Sequence, residues 1–246
     1  MKDGLAVIRP DWPAPATVRA AVSTRQGGVS GAPWESLNLG AHTGDDPAHV
    51  AENRRRLREA LGLAVEPFWL DQVHGTVVSR LDEATPVRVA DAAVAFRPDR
   101  VCAVLTADCM AVFLCDRAGT RVGIAHAGWR GLAAGVVEAA VAALECSPRE
   151  LMAWLGPAIG SEAFEVGEEV RAQFIADDAG ADAAFVRNAR GRWQADLYSL
   201  ARRRLARAGV DDVHGAVVST HADARRFYSY RRDGACGRMA NLIWLA

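Results

Sequence analysis

The 246-residue sequence contains no apolar run of about 18 residues, the length that a membrane-spanning helix requires. Its first seven residues include neither a continuous apolar segment nor a cleavage site, so we expect no secretory signal. The five cysteines are odd in number and irregularly spaced, which does not fit a disulfide framework. These absences predict no membrane association and a place in the reducing cytoplasm.

An excess of charge of one sign is also absent. The sequence has 29 Lys and Arg against 30 Asp and Glu, a formal net charge of -1. Without a strong overall field, we expect no binding to nucleic acid or acidic lipid. Hydrophobic residues make up 50% and charged residues 24% of the chain, as in an ordinary globular protein.

Apolar patterns and helix-capping residues predict alternating strands and helices. Strands are expected at residues 18–24, 101–106, 110–115, 121–125, 213–220 and 241–245, and helices at residues 46–62, 131–144, 167–176 and 196–208. The sequence shows no internal repeat, low-complexity tract or linker. We therefore expect one domain over residues 1–246, a layered α/β fold with a mixed β-sheet core covered by helices.

Three side chains that can bind a metal stand beside turn residues in separate segments. They are His74 in DQVHG, Cys109 in TADC and His126 in AHAGWRG. Two imidazoles and a thiolate suit zinc, and three protein ligands leave a fourth position for water or substrate. If these side chains converge, the sequence indicates a metal-dependent enzyme.

Other polar residues are candidates for the same site. Asp108 precedes the cysteine and is an unusual neighbour for buried strands, while His42 is a candidate fourth ligand. Arg25 stands in a loop with Gly27 and Gly28, which would allow backbone amides to approach a phosphate. Arg231 offers a second guanidinium for an anion, although a surface salt bridge is the simpler interpretation of either arginine.

Taken together and in order, many short segments resemble the YfiH family, also described as the laccase-domain or multicopper polyphenol oxidoreductase family. The matching segments span residues 18–245 and include STRQGGVS (23–30), NLG (38–40), GDDP (44–47), DQVHG (71–75), TADC (106–109), AHAGWRG (125–131), GPAIG (156–160) and YSYRRDG (228–234).

The resemblance implies a YfiH-like fold and a zinc site at His74, Cys109 and His126. It also implies phosphorolysis of adenosine, inosine, guanosine and methylthioadenosine, together with adenosine deamination. Purine nucleosides and phosphate would then be the small-molecule partners, and the sequence sets no oligomeric state. On this basis we expect substrate contacts from the candidates Arg25, Gly27, Gly28, Asn38 and Arg231, with Arg25 and Asp108 as catalytic candidates.

Three alternatives remain open at this point. Copper could replace zinc, as the family description suggests, but six histidines and four methionines are too few for a separate trinuclear copper cluster. Cys109 could instead be the nucleophile of a hydrolase that edits peptidoglycan precursors. A purely structural zinc would require a fourth protein ligand, for which His42 and Asp108 are candidates.

Overall fold

The structure is a computed structural model that describes residues 5–246. Its strands are β1 Val7–Ile8, β2 Val18–Ser23, β3 Phe68–Trp69, β4 Val78–Arg80, β5 Ala92–Ala95, β6 Val101–Thr106, β7 Met110–Asp116, β8 Val122–Ala127, β9 Leu151–Leu155, β10 Glu165–Val166, β11 Phe185–Arg187, β12 Trp193–Ala195, β13 Asp212–His214 and β14 Met239–Leu245. Its α-helices are α1 Pro47–Leu61, α2 Trp129–Ala134, α3 Val136–Ala143, α4 Glu168–Asp177, α5 Leu197–Arg207 and α6 Tyr230–Asp233. In this part of the chain, no helix combines the length and the apolar character that crossing a membrane requires.

The strands form two large mixed sheets and one small sheet. The five-stranded sheet has the order β1-β2-β14-β6-β3, and the six-stranded sheet has the order β13-β9-β7-β8-β5-β4. Most neighbours are antiparallel, but the pairs β3/β6, β4/β5 and β13/β9 are parallel. The small antiparallel sheet has the order β10-β12-β11. This arrangement confirms the predicted α/β class with mixed sheets.

Four layers result from the way these elements bury their apolar faces. The two large sheets pack against each other through residues such as Val104 and Phe113. Helix α1 covers the outer face of the five-stranded sheet through Leu57, and helices α2 to α5 cover the outer face of the six-stranded sheet. Strands β6 and β7 are buried along their whole length, as their continuous apolar sequences predict.

Helix α1 begins and ends where the sequence predicts. The Asp46 side chain accepts a hydrogen bond from the Ala48 N–H at 2.8 Å, and Pro47 occupies the first turn. Gly62 adopts a left-handed conformation with φ 65° and ends the helix.

Two predicted elements differ in the structure because a glycine interrupts each of them. The helix expected over residues 131–144 is divided into α2 and α3 at Gly135, which has φ 100°. The strand expected over residues 213–220 ends at His214, where Gly215 has φ 98°. Both glycines adopt backbone conformations that a regular helix or strand does not contain.

Candidate metal centre and active site

The three candidate metal ligands meet where the chain passes between the two large sheets. His74 lies in the loop between β3 and β4, and Cys109 lies in the short turn between β6 and β7. Because β6 belongs to the five-stranded sheet and β7 to the six-stranded sheet, this turn crosses from one sheet to the other. His126 is near the end of β8, one position before its last residue, and thus lies within the strand rather than just after it.

The distances within this group fit a tetrahedral metal. One ligand atom from each residue lies within 4.8 Å of the other two, and Cys109 Sγ is 3.8 Å from His74 Nε2. Zinc bonds of about 2.3 Å to sulfur and 2.1 Å to nitrogen would separate those two atoms by about 3.6 Å. Across residues 5–246, no fourth His, Cys, Asp or Glu joins the group. The donor set therefore fits zinc with one open position.

The buried carboxylate of Asp91 organises two of the three ligands. Its Oδ1 accepts hydrogen bonds from His126 Nδ1 at 2.9 Å and from the His74 backbone N–H at 2.9 Å. Its Oδ2 accepts from the backbone N–H groups of Gly75 at 2.7 Å and Val73 at 3.1 Å. Burial raises the pKa of Asp91, but its hydrogen bonds to His126 and to these backbone groups outweigh burial and lower it. The ionised carboxylate holds the His126 proton on Nδ1 and leaves Nε2 free for a metal.

Backbone geometry holds the ligands close together. His74 has φ 61°, an uncommon value for a residue with a side chain, and the bonds of residues 73–75 to Asp91 hold it there. At Gly128, an added Cβ would lie 2.8 Å from Cys109 Sγ and 2.9 Å from His74 Cδ2. Only glycine allows the backbone between β8 and α2 to approach the ligands this closely.

Asp108 is fully engaged by neighbouring segments. Its Oδ1 accepts a hydrogen bond from Thr220 Oγ1 at 2.7 Å, and its Oδ2 accepts from Ser229 Oγ at 3.0 Å and from the Arg231 N–H at 2.7 Å. The residue has φ 90°, which is a strained conformation for a side chain of this kind. Asp108 therefore holds residues 229–231 beside the candidate metal ligands, so the contacts of its carboxylate position neighbouring segments.

Cys109 and His126 influence each other's protonation. Burial raises the pKa of the Cys109 thiol, but the adjacent His126 and His74 outweigh burial and lower it to about 6. Burial lowers the pKa of the His126 imidazole, but Cys109 and Asp91 outweigh burial and raise it to about 9. The protein thus presents a thiolate, the form that binds metals, and a metal would displace a proton from the imidazole.

A cavity of about 470 Å³ opens over the three ligands. Its size lies within the range of about 300–1,000 Å³ that is usual for small-molecule sites. Apolar side chains form much of the wall, among them the aromatic residues Trp129, Phe164 and Tyr230. His42 also lines the cavity, and burial, helped by Arg238 and Arg54, lowers its pKa, which favours a neutral imidazole.

Three arginines line the same cavity, each stacked on one of its aromatic rings. The Arg130 guanidinium lies 4.4 Å from the centroid of the Trp129 ring. The corresponding distance is 5.6 Å between Arg231 and Phe164 and 5.9 Å between Arg238 and Tyr230. The only acidic residue among the lining residues is Asp108, whose oxygens already accept three hydrogen bonds. The cavity therefore favours an anion.

The loop of Arg25, Gly27 and Gly28 lies outside this cavity lining. Arg25 Nε donates to the Glu35 carbonyl at 3.0 Å, Nη1 donates to the Ala224 carbonyl at 3.1 Å, and the guanidinium stacks on Tyr228. A Cβ at Gly27 would meet the backbone of residue 5, and one at Gly28 would overlap the backbone of residues 36 and 37. These glycines serve close packing of protein segments, so the geometry does not support a phosphate site here.

Asn38 is fully buried, and its polar atoms bind other protein groups. Its Nδ2 donates to Thr43 Oγ1 at 2.8 Å and to Asp45 Oδ2 at 2.9 Å, while its Oδ1 accepts the N–H groups of Gly40 and Arg238. The structure shows no polar atom of Asn38 directed toward a substrate. Its side chain instead links the loop of His42 to the segment of Arg238. Arg231, in contrast, does line the cavity.

Sequence reasoning assigned no role to Asp91, Gly128, Arg130 or Arg238. Gly128 and Arg130 lie in the AHAGWRG segment, but no local pattern shows that the Asp91 carboxylate accepts hydrogen bonds from residues 73–75 and from His126 together. Arg238 directly precedes β14, and its backbone N–H donates to Asn38 Oδ1, a contact that no local pattern predicts.

These features define a layered α/β protein in which two histidines and one cysteine, a candidate metal-binding group, line a cavity rich in arginine. Residues 19–246 match the family model described as multi-copper polyphenol oxidoreductase laccase. The chain is 57% identical to a purine nucleoside phosphorylase of Pseudomonas aeruginosa, with 98% of each chain covered. It is 53% identical to the purine nucleoside phosphorylase YfiH of Escherichia coli, with 97% of this chain and 98% of that protein covered.

Solved structures agree with these sequence comparisons. A crystal structure of a Neisseria meningitidis protein superposes with a TM-score of 0.91 at 48% identity and covers 97% of this chain and 98% of the other. The YfiH protein of Bacillus licheniformis gives a TM-score of 0.87 at 30% identity, with 93% of each chain covered. The chain belongs to the YfiH family, which confirms the resemblance inferred from its motifs.

We predict that Asp91→Asn lowers metal affinity about 10- to 100-fold, the usual effect of removing a carboxylate behind a ligating histidine. An amide would turn N–H donors toward the N–H groups of residues 73–75 and would no longer hold the His126 tautomer. Competition with a chromogenic chelator measures the affinity. Asp71→Asn is the matched control, since Asp71 is exposed and close in sequence to His74. Equal affinity in the wild-type and Asp91→Asn proteins would contradict the role of Asp91.

Proposed function

We propose that this chain is a zinc-dependent purine nucleoside phosphorylase that acts on adenosine, inosine, guanosine and methylthioadenosine. The observation that carries the proposal is the convergence of His74, Cys109 and His126 at the base of a cavity whose wall carries three arginines. The names of the relatives from Pseudomonas aeruginosa and Escherichia coli support an enzyme of this class.

Zinc is the metal that the residues fit. Imidazole nitrogen and thiolate sulfur are both zinc ligands, three protein ligands are usual in catalytic zinc sites, and the spacing of Sγ and Nε2 matches tetrahedral bonds. When bound, the ion would supply a positive charge and an open coordination position at the base of the cavity. A multicopper oxidase would need further metal-binding groups, and residues 5–246 contain no second group of this kind.

Arg231 and Arg238 are the proposed ligands of the phosphate co-substrate. Arg231 Nη1 donates to the carbonyls of Ala163 and Glu165, and Arg238 Nη1 donates to those of Cys236 and Gly237. These bonds hold each guanidinium through one nitrogen and leave other N–H groups for an anion. Guanidinium groups held in this way are well suited to bidentate bonds with phosphate.

The remaining cavity walls suit a purine nucleoside. Trp129, Phe164 and Tyr230 offer apolar surfaces for the base, and an arginine guanidinium also lies over each of these rings. Cleavage of the glycosidic bond leaves electron density on the purine, and a neutral His42 can donate an N–H hydrogen bond to it. Asp108 contributes by holding the backbone of Arg231 in place.

Adenosine deamination is a second reaction of the same proposed site. Its support is the open metal position within the cavity, because deamination requires a water activated by zinc. The low pKa of Cys109 would also suit a nucleophilic hydrolase. The two interpretations differ in the effect of zinc, since a metal bound to the thiolate would inhibit a cysteine hydrolase.

We predict that Cys109→Ser loses zinc and phosphate-dependent base release together. The variant should stay folded, since Cys109 is only partly buried and lines the cavity. Metal analysis, base release from adenosine with and without phosphate, and denaturant unfolding measure the three properties. Cys146→Ser, which changes a partly buried cysteine outside the cavity lining, is the matched control. Base release that persisted without zinc would show that the metal is not catalytic.

We further predict that Arg238→Ala and Arg231→Ala each raise the KM for phosphate, because each removes a charge-assisted contact worth roughly 10- to 150-fold in affinity. Deamination of adenosine, which uses no anion, should fall much less. Arg25→Ala serves as the comparison. Since its guanidinium binds Glu35 and Ala224 carbonyls, we expect lower stability with little change in this KM. A raised KM for phosphate in Arg25→Ala alone would show instead that phosphate binds at the loop of residues 25–28.

A further inference from the structure

We propose that the cavity binds a second phosphate group, carried by the substrate, and that purine nucleoside 5′-monophosphates are therefore substrates. This inference rests on the proposed phosphorolysis of nucleosides and extends it to a charged substrate class. The residue assigned to the additional phosphate is Arg130.

The first support is the number of guanidinium groups in the cavity lining. Arg130, Arg231 and Arg238 bring three permanent positive charges, whereas Asp108 is the single carboxylate among the lining residues. Orthophosphate carries a charge of about -1.5 to -2 at neutral pH, as phosphate monoesters do. Orthophosphate bound between Arg231 and Arg238 would contact those two guanidinium groups and leave that of Arg130 without a contacting anion.

The second support is the state of the Arg130 side chain. Arg231 and Arg238 each bind backbone carbonyls, but within residues 5–246 the Arg130 guanidinium has neither a hydrogen-bond acceptor nor an acidic partner. It stacks on the ring of Trp129 at 4.4 Å, and both residues line the cavity. Stacking restrains the plane of the guanidinium and leaves its N–H edge free for a bidentate bond to phosphate.

The third support is where Arg130 lies. It belongs to helix α2, whereas Arg231 and Arg238 belong to the segment of residues 230–238. Its side chain is exposed, as are those of Arg231 and of the candidate ligand His74, so a phosphate on Arg130 would be in contact with solvent. A nucleotide with its glycosidic bond near the candidate metal group and its 5′-phosphate on Arg130 would keep that phosphate apart from the orthophosphate on the segment of residues 230–238.

The extended reaction balances without an oxidant or a further co-reactant. The C1′–N9 bond breaks, and its electron pair leaves with the purine, which takes up a proton. An oxygen of orthophosphate forms the new bond to C1′. The products are the free purine and ribose 1,5-bisphosphate, and the 5′-phosphate is unchanged.

The test compares adenosine and adenosine 5′-monophosphate as substrates of the zinc-containing protein at one phosphate concentration. We expect adenine from both, with ribose 1,5-bisphosphate as the second product from the nucleotide, identified by mass spectrometry. In Arg130→Ala, the kcat/KM for the nucleotide divided by that for adenosine should fall at least about tenfold. Arg130→Lys should retain part of this ratio. Arg225→Ala, which removes an exposed arginine outside this cavity lining, should keep it.

Each other outcome contradicts a defined part of the account. Adenine from adenosine but none from the nucleotide would overturn this inference and leave the proposed function standing. Ribose 1-phosphate as the sole sugar product from the nucleotide would show prior dephosphorylation and would also overturn it. An unchanged ratio in Arg130→Ala would overturn the assignment to Arg130. Release of adenine from neither substrate would overturn the proposed function and this inference together.

Discussion

The arrangement of the candidate metal ligands depends on one buried carboxylate, that of Asp91. It accepts the imidazole N–H of His126 and three consecutive backbone N–H groups of residues 73–75. A buried charge is tolerated only when such donors surround it, so the loop, the strand and the carboxylate stabilise one another. The pairing of β5 with β8 sets this contact, because the His126 backbone N–H also binds the Asp91 carbonyl at 2.7 Å.

A second carboxylate, that of Asp108, holds segments of the cavity wall in place. It stands next to Cys109 in the turn between the two large sheets and binds Thr220, Ser229 and the Arg231 N–H. The third metal ligand and the arginine-bearing wall are thereby tied to the same turn. The candidate metal ligands and the arginine-bearing wall are thus linked through one turn, and links of this kind hold the groups of a site at fixed separations.

Residue chemistry and local pattern were sufficient for part of this account. The capping residues Asp46 and Gly62 delimited helix α1, and two histidines and a cysteine beside turns indicated the metal group. The glycines at positions 27 and 28 do not by themselves indicate a phosphate site, because glycine permits close approach of either a ligand or another segment of the chain. Their neighbours in the structure are protein backbone.

Other features depend on contacts that sequence spacing does not reveal. The Asp91 carboxylate accepts hydrogen bonds from backbone N–H groups 16 to 18 residues before it and from an imidazole 35 residues after it. The backbone N–H of Arg238, which lines the cavity, donates a hydrogen bond to Asn38 Oδ1, 200 residues away. Such pairings follow from strand order and register, which become known only with the whole fold.

The central claim is that His74, Cys109 and His126 hold one metal ion and leave a coordination position open to the cavity. X-ray absorption at the zinc edge of the purified protein tests it most directly. The account predicts one sulfur at about 2.3 Å and three nitrogen or oxygen neighbours at about 2.0–2.1 Å, one of them exchangeable. A spectrum without sulfur, or with four ligands that small anions and substrate analogues never displace, would contradict it.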